Sequence, residues 1–238
     1  MARYPARERF TRFLGEVSII VIGVLIALSV DSWREARRDS ESQQFLLASL
    51  LSETTTNIDS LRAAIDYNDG IVGGLRQLVA IHYGRQPMPP RDSANWLLMI
   101  AVSYNRVTPT FGVYDAMIAT GSTRLLPSSA LAQRLAAHRA RLEAGMGDEG
   151  SALHVIELVS ELMTEYGGGY QFMPPFITDR LELPALEAPA DFAGLISDAR
   201  FGDLMFRRTL LEDNVGGFYR DQAELLEGTK ALIEQATR

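Results

Sequence analysis

Apolar residues run uninterrupted by charge from Val17 to Val30. Ten of those 14 residues are Val, Ile or Leu, which together favour insertion into hydrocarbon by roughly 3 to 6 kcal/mol. A run of 14 is short for a membrane span, which takes about 20 residues. Extending back to Phe13 gives a helix about 27 Å long, with Glu16 within a turn of the membrane edge, where its carboxylate reaches the headgroups. Trp33 then falls where an interfacial aromatic anchor belongs. The pattern predicts one transmembrane helix over 13–33. A cleaved signal peptide, with Ala27-Leu28-Ser29 as the cleavage site, and a buried core helix are the competing readings.

Beyond Trp33 the period is helical everywhere. Leu46, Leu50, Ile58, Leu61 and Ile65 continue the first helix to about Tyr83, where Gln86-Pro87-Met88-Pro89-Pro90 stops it. Asp92 or Ser93 is expected to cap a helix from Ala94 to Tyr104, with Trp96, Leu97 and Ile100 on its apolar face. Thr110 is expected to cap a short helix carrying Phe111, Tyr114, Met117 and Ile118 on one face, ended by Gly121. Ser128 or Ser129 starts a helix to about Gly145, and Asp148 starts another carrying Val159, Leu162 and Met163. Tyr166 to Pro189 reads as an ordered irregular segment; Asp191 caps a short helix, and a long one runs from about Asp203 to Gln235, with Gly216-Gly217 as its bending point. No strand alternation, sequence repeat or low-complexity tract is visible. The fold class is therefore all-α: an N-terminal transmembrane helix continuing into an extramembrane bundle.

Charge sets the orientation. Arg3, Arg7, Arg9 and Arg12 face only Glu8 before the apolar stretch, while the whole chain carries −7 at a pI near 5.1. Arg34, Arg37 and Arg38 reduce the asymmetry without reversing it. The positive-inside rule then gives a cytoplasmic tail over 1–12 and a periplasmic helical domain over 34–238, in a bacterial inner membrane. An acidic exported part excludes nucleic acid as partner. The absence of cysteine excludes disulfides and thiol chemistry.

Two stretches resemble a family of uncharacterised bacterial single-pass membrane proteins, a domain of unknown function. One is Val21-Ile22-Gly23-Val24-Leu25-Ile26-Ala27-Leu28 followed by Trp33. The other is Thr110-Phe111-Gly112-Val113-Tyr114-Asp115-Ala116-Met117-Ile118-Ala119-Thr120-Gly121, which is similar to that family's T-x-x-x-Y-x-x-L-x-x-S-G pattern, with Met117 at its Leu and Thr120 at its Ser. The resemblance implies a single span and a helical fold, and it brings no activity.

Residues with chemistry are scattered. His82, His138 and His154 are far apart in sequence, and His154 with Glu157, Glu161 and Glu165 reads as a solvated acidic face, since a di-iron bundle needs two Glu-x-x-His units. There is no G-x-S-x-G, and Gly167-Gly168-Gly169 lacks the residues of a phosphate loop. The sequence therefore predicts no catalytic, cofactor or metal residues. Gly23 and Ala27, four apart, are the candidate helix-packing pair within the membrane. Tyr170, Phe172 and Phe176 form a candidate partner loop. The expected function is a non-catalytic accessory subunit, anchored in the lipid bilayer and packed on other membrane-protein subunits, with an electron-transfer or photosynthetic complex as one candidate host. The alternative is an exported helical ligand-sensing module that works through a partner, because the short tail leaves no room for an output domain.

Overall fold

The computed structural model describes residues 6–145, 149–182 and 190–237, with the side chains of 6–20, 149, 169 and 170 excepted. It is all-helical over those residues. One helix, α1, runs unbroken from Ala6 to His82, 77 residues and about 115 Å. The remaining helices are α2 (Arg91–Ala101), α3 (Gly112–Thr120), α4 (Ser129–Glu143), α5 (Glu149–Glu165), α6 (Pro175–Arg180), α7 (Phe192–Ser197) and α8 (Ala199–Ala236). Short 3-10 turns sit at Ser122–Leu125 and Gly169–Phe172.

The bundle is built on an antiparallel pair, α1 with α8. Buried positions on α1 recur in alternating steps of three and four: Leu47, Leu50, Thr54, Asn57, Leu61, Ala64, Asn68, Ile71, Leu75 and Leu78. On α8 the same steps give Phe201, Met205, Arg208, Glu212, Val215, Tyr219, Gln222, Leu226, Thr229 and Ile233. That spacing is the seven-residue period of a coiled-coil seam. Along one exposed edge Arg62 meets Glu227 at 2.7 Å, Asp69 meets Arg220, and Arg76 meets Asp213 at 3.5 Å. No apolar repeat announces the seam in the sequence, because polar residues fill so many of its places.

Three of the seam residues, Asn57, Arg208 and Tyr219, hold the chain segment that crosses the pair. Asn57 donates to the carbonyl of Thr110 at 2.8 Å and accepts its N–H at 3.0 Å. Arg208 donates to the carbonyl of Ser103 at 2.9 Å, and the N–H of Val107 donates to the Tyr219 hydroxyl at 3.3 Å. Four backbone groups of the stretch from α2 to α3, on Ser103, Val107 and Thr110, are thus satisfied by seam side chains. Glu53 of α1 completes the arrangement by accepting the N–H of Val113 at 3.2 Å in the first turn of α3.

The helix boundaries correct several expectations. Thr110 does not cap α3: Phe111 stands at the N-cap with its ring buried, Thr110 is engaged by Asn57, and the carboxylate comes from Glu53. Neither Asp92 nor Ser93 caps α2, which starts after Pro90 with Asp92 inside its first turn. Ser128, Asp191 and Gly121 hold the places expected of them, with Gly121 left-handed at φ 70°. Asp198, not a residue near Asp203, caps α8 by accepting the N–H of Arg200. The helix is continuous through Gly216-Gly217, and Gly216 is there for contact: a Cβ would collide with Asn68. Asp148 lies outside the described residues.

Candidate functional site

The first candidate surface is the apolar part of α1. From Val21 to Leu28 every residue is exposed, around the whole circumference of the helix. Leu25 is 57 % and Ile26 59 % exposed. Among the described residues nothing lies within 4 Å of a Cβ built on Gly23, and Ala27 is exposed. Trp33 is exposed too, with the Arg37 guanidinium 5.9 Å from its ring centre. Among the described residues no helix is long and apolar enough to cross a membrane. The described side chains of this stretch begin at Val21.

Between Trp33 and the first buried residue of the seam, Leu47, α1 is a polar stalk. Arg37 and Glu41 pair along it at 3.1 Å. Arg124, from the turn after α3, grips Asp39 with two hydrogen bonds of 2.6 and 3.0 Å, which holds the Asp39 carboxyl below its usual range. Gln43 donates to the carbonyl of Leu125 at 2.8 Å. These contacts brace the stalk against the bundle.

The second candidate surface lies toward the other end of the bundle. Trp96 on α2 and Phe176 on α6 are about half exposed, with ring centres 6.1 Å apart at an interplanar angle of 49°. Together with Leu97, Pro174 and Pro175 they line an open groove of about 550 Å³, rimmed by Gln77, Asp92 and Ser93. Asn95 fastens the aromatic loop to α2 by donating to the carbonyl of Met173 at 3.3 Å. Of the two loop aromatics singled out in the sequence whose side chains are described, Phe176 serves this surface. Phe172 is 1 % exposed and packs among Leu162, Met163 and Leu195, so it is a core residue and not a partner contact. A 3-10 turn points it inward, which a proline-rich segment without helical period could not announce. The side chain of Tyr170 lies outside the described residues.

Trp96, expected on an apolar face, sits at that face's edge, and Leu98 takes the interior place.

Three polar sets lie elsewhere, two of them buried. Arg208 and Glu212 form an ion pair one turn apart within the seam, both almost fully buried, and Asn68 donates to Glu212 at 2.5 Å. Burial pushes the Arg208 guanidinium down from its ordinary value, and the Glu212 carboxylate opposes that push. His138 on α4 is 1 % exposed and packs edge-on against Phe111. Burial lowers its pKa to about 4; the nearby Gln222 amide pulls the other way, although neither ring nitrogen reaches hydrogen-bonding geometry with it. At the start of α8, Asp198 accepts from the Tyr166 hydroxyl at 2.7 Å and from Arg200, whose guanidinium also pairs with Glu165 at 2.7 Å. Its carboxyl is held far below the usual range by Arg200 first and Tyr166 second.

None of these sets has the form of a reaction centre. The Arg208 pair and His138 are closed in by side chains, and Asp198 is a helix cap. His154 and Glu157 stand 3.6 Å apart on an exposed face. Among the described residues no three His, Cys, Asp or Glu are grouped to hold a metal ion. No family model, curated protein or solved structure matches the chain.

Proposed function

We propose that the chain is a membrane-anchored, non-catalytic accessory subunit. Residues 13–33 lie in the inner membrane, residues 1–12 in the cytoplasm, and the bundle stands in the periplasm against other subunits of a larger membrane assembly. One observation carries the reading: among the described residues, Val21 to Leu28 are exposed around the whole helix, with apolar side chains in every direction. A helix apolar all round is stable only when something apolar surrounds it. The polar stalk beyond Trp33, with its Arg37–Glu41 pair, suits the step from headgroups to water.

Two measurements test this. After an alkaline carbonate wash the full chain stays with the membrane pellet, while a variant carrying Ile22→Asp and Ile26→Asp is released. Each Asp at mid-membrane costs about 3 kcal/mol beyond the lost isoleucine contribution. Single cysteines at position 5 and position 150 set the orientation: an impermeant reagent labels 150 and spares 5. The reverse pattern inverts the topology, and release of the unaltered chain by carbonate removes the anchor.

The ligand-sensing alternative draws on the Trp96 groove. Pockets for small molecules enclose most of the ligand. This groove is open along its length, which suits a stretch of another chain better than a small molecule.

A further inference from the structure

α4 is held to the bundle more lightly than α2. Over 15 residues it buries three side chains, Leu131, Leu135 and His138, whereas α2 buries five over 11 residues. Its ion pairs, Arg139 with Asp115 at 2.9 Å and Arg141 with Asp221 at 2.7 Å, are exposed, and such pairs add little. One of its three fixing side chains is therefore an ionisable one. His138 lies between the ring of Phe111, edge-on at 4.9 Å, and the Gln222 amide of α8. Among the described residues no hydrogen-bond partner reaches either imidazole nitrogen or either polar atom of that amide. This junction of α3, α4 and α8 thus depends on the imidazole behaving as an apolar group.

A proton on His138 ends that behaviour, because a buried charge needs a partner. The charged and titratable groups around it are engaged elsewhere. On α3, Asp115 is held by Arg139, and Tyr114 packs with Leu131 and Leu135. On α8, Asp221 is held by Arg141, Tyr219 accepts the N–H of Val107, and Glu227 pairs with Arg62. Glu224 lines an open surface groove with Arg134 of α4. On α1, Glu53 is turned to the N–H of Val113. Burial first and Gln222 second set the proton affinity of His138, at about 4 against 6.5 for a solvated imidazole. In the closed bundle the ring stays neutral down to about pH 4, whereas an opened α4 presents an imidazole that takes a proton below pH 6.5. Each step down in pH through that window favours the opened form, and a helix with few buried contacts opens before the rest.

We propose that α4 is an acid-released helix: protonation of His138 frees it from α3 and α8 while the α1–α8 pair stays folded, uncovering Phe111, Leu131 and Leu135. This goes beyond the accessory-subunit reading and does not depend on it. Topology decides only which compartment's acidity α4 meets.

The test is amide hydrogen exchange on the full chain in a mild detergent at pH 7, 6 and 5, with protection corrected for the intrinsic pH dependence of exchange. Protection over Ser129–Glu143 is expected to fall about 20-fold from pH 7 to pH 5. Protection over 58–78 of α1 and 201–233 of α8 is expected to hold. In His138→Gln and His138→Leu, with helix content checked by circular dichroism, the α4 protection should no longer depend on pH. Asp115→Asn and Asp221→Asn should keep the pH dependence. The proposal is overturned if α4 protection is constant with pH, if it falls equally in both His138 variants, or if either Asp variant abolishes the fall. It is also overturned if α1 and α8 lose protection in step with α4, a comparison that the unaltered chain provides by itself. None of these outcomes bears on the carbonate and labelling results, so the two readings fall separately.

Discussion

Buried polar side chains carry the clearest energetic consequences at the scale of the residue. His138 is neutral in the folded chain because burial lowers its pKa from 6.5 to about 4. The unfolded chain binds a proton there between those values, so folding loses free energy as pH falls through that window. Urea denaturation is expected to show this group's contribution intact above pH 6.5 and lost below about 4, a change on the order of 3 kcal/mol. In His138→Leu the stability should vary less over the same window; an unchanged slope assigns the loss to other groups.

Arg208 and Glu212 make the second case. Glu212→Leu leaves a buried guanidinium without its carboxylate and should cost about 3 to 5 kcal/mol, whereas Arg208→Met with Glu212→Leu together should be far milder. Denaturant midpoints of the two variants decide it. Sequence reading passed over the ion pair, because an arginine and a glutamate in an amphipathic helix look like solvated positions until packing partners are known. His138 follows Leu131 and Leu135 at helical spacing and shares their buried face. Phe172 failed in the opposite sense: an aromatic in an irregular, proline-rich segment looks available, and it is core.

Capping and close contact govern the elements. Ser128, Asp191 and Gly121 were legible because cap chemistry is local: one side chain or one backbone angle decides it. The starts of α2 and α3 were not, since Glu53 reaches α3 from a different helix and Pro90 starts α2 through its fixed backbone angle. Asp198 escaped notice because Ala199 to Gly202 carries little apolar period, though Phe201 is fully buried. Asp198→Ala should lower stability by about 1 kcal/mol through the lost cap, read as a fall in melting temperature.

The adjacent glycines of α8 give a sharper contrast. Gly217 has open space at its Cβ position, so Gly217→Ala should stabilise α8 by up to about 1 kcal/mol. Gly216→Ala drives a methyl into Asn68, which is tied to Glu212, and should destabilise. Opposite signs in the denaturation midpoints support this account, and equal signs contradict it.

The whole molecule was legible in class and hidden in plan. Apolar period and proline stops suffice to show helices and to place the long first one. The pairing of α1 with α8 does not follow from apolar residues, because Thr54, Asn57, Asn68, Arg208, Gln222 and Thr229 occupy seam positions where a coiled-coil pattern calls for Leu or Ile. Two of these, Asn57 and Arg208, together with Tyr219, bind the backbone of the crossing segment from Ser103 to Thr110.

The edge of that pair carries a further consequence. Read in order along α1, the ladder is cation, anion, cation; on α8 the facing partners are anion, cation, anion. Each exposed pair adds little by itself. Slide α8 by one full seven-residue step, however, and Arg62 confronts Arg220 while Asp69 confronts Asp213. The opposite slide sets Asp69 against Glu227 and Arg76 against Arg220. A coiled seam is most easily mistaken for itself one repeat away, and here that mistake brings like charges face to face in both directions.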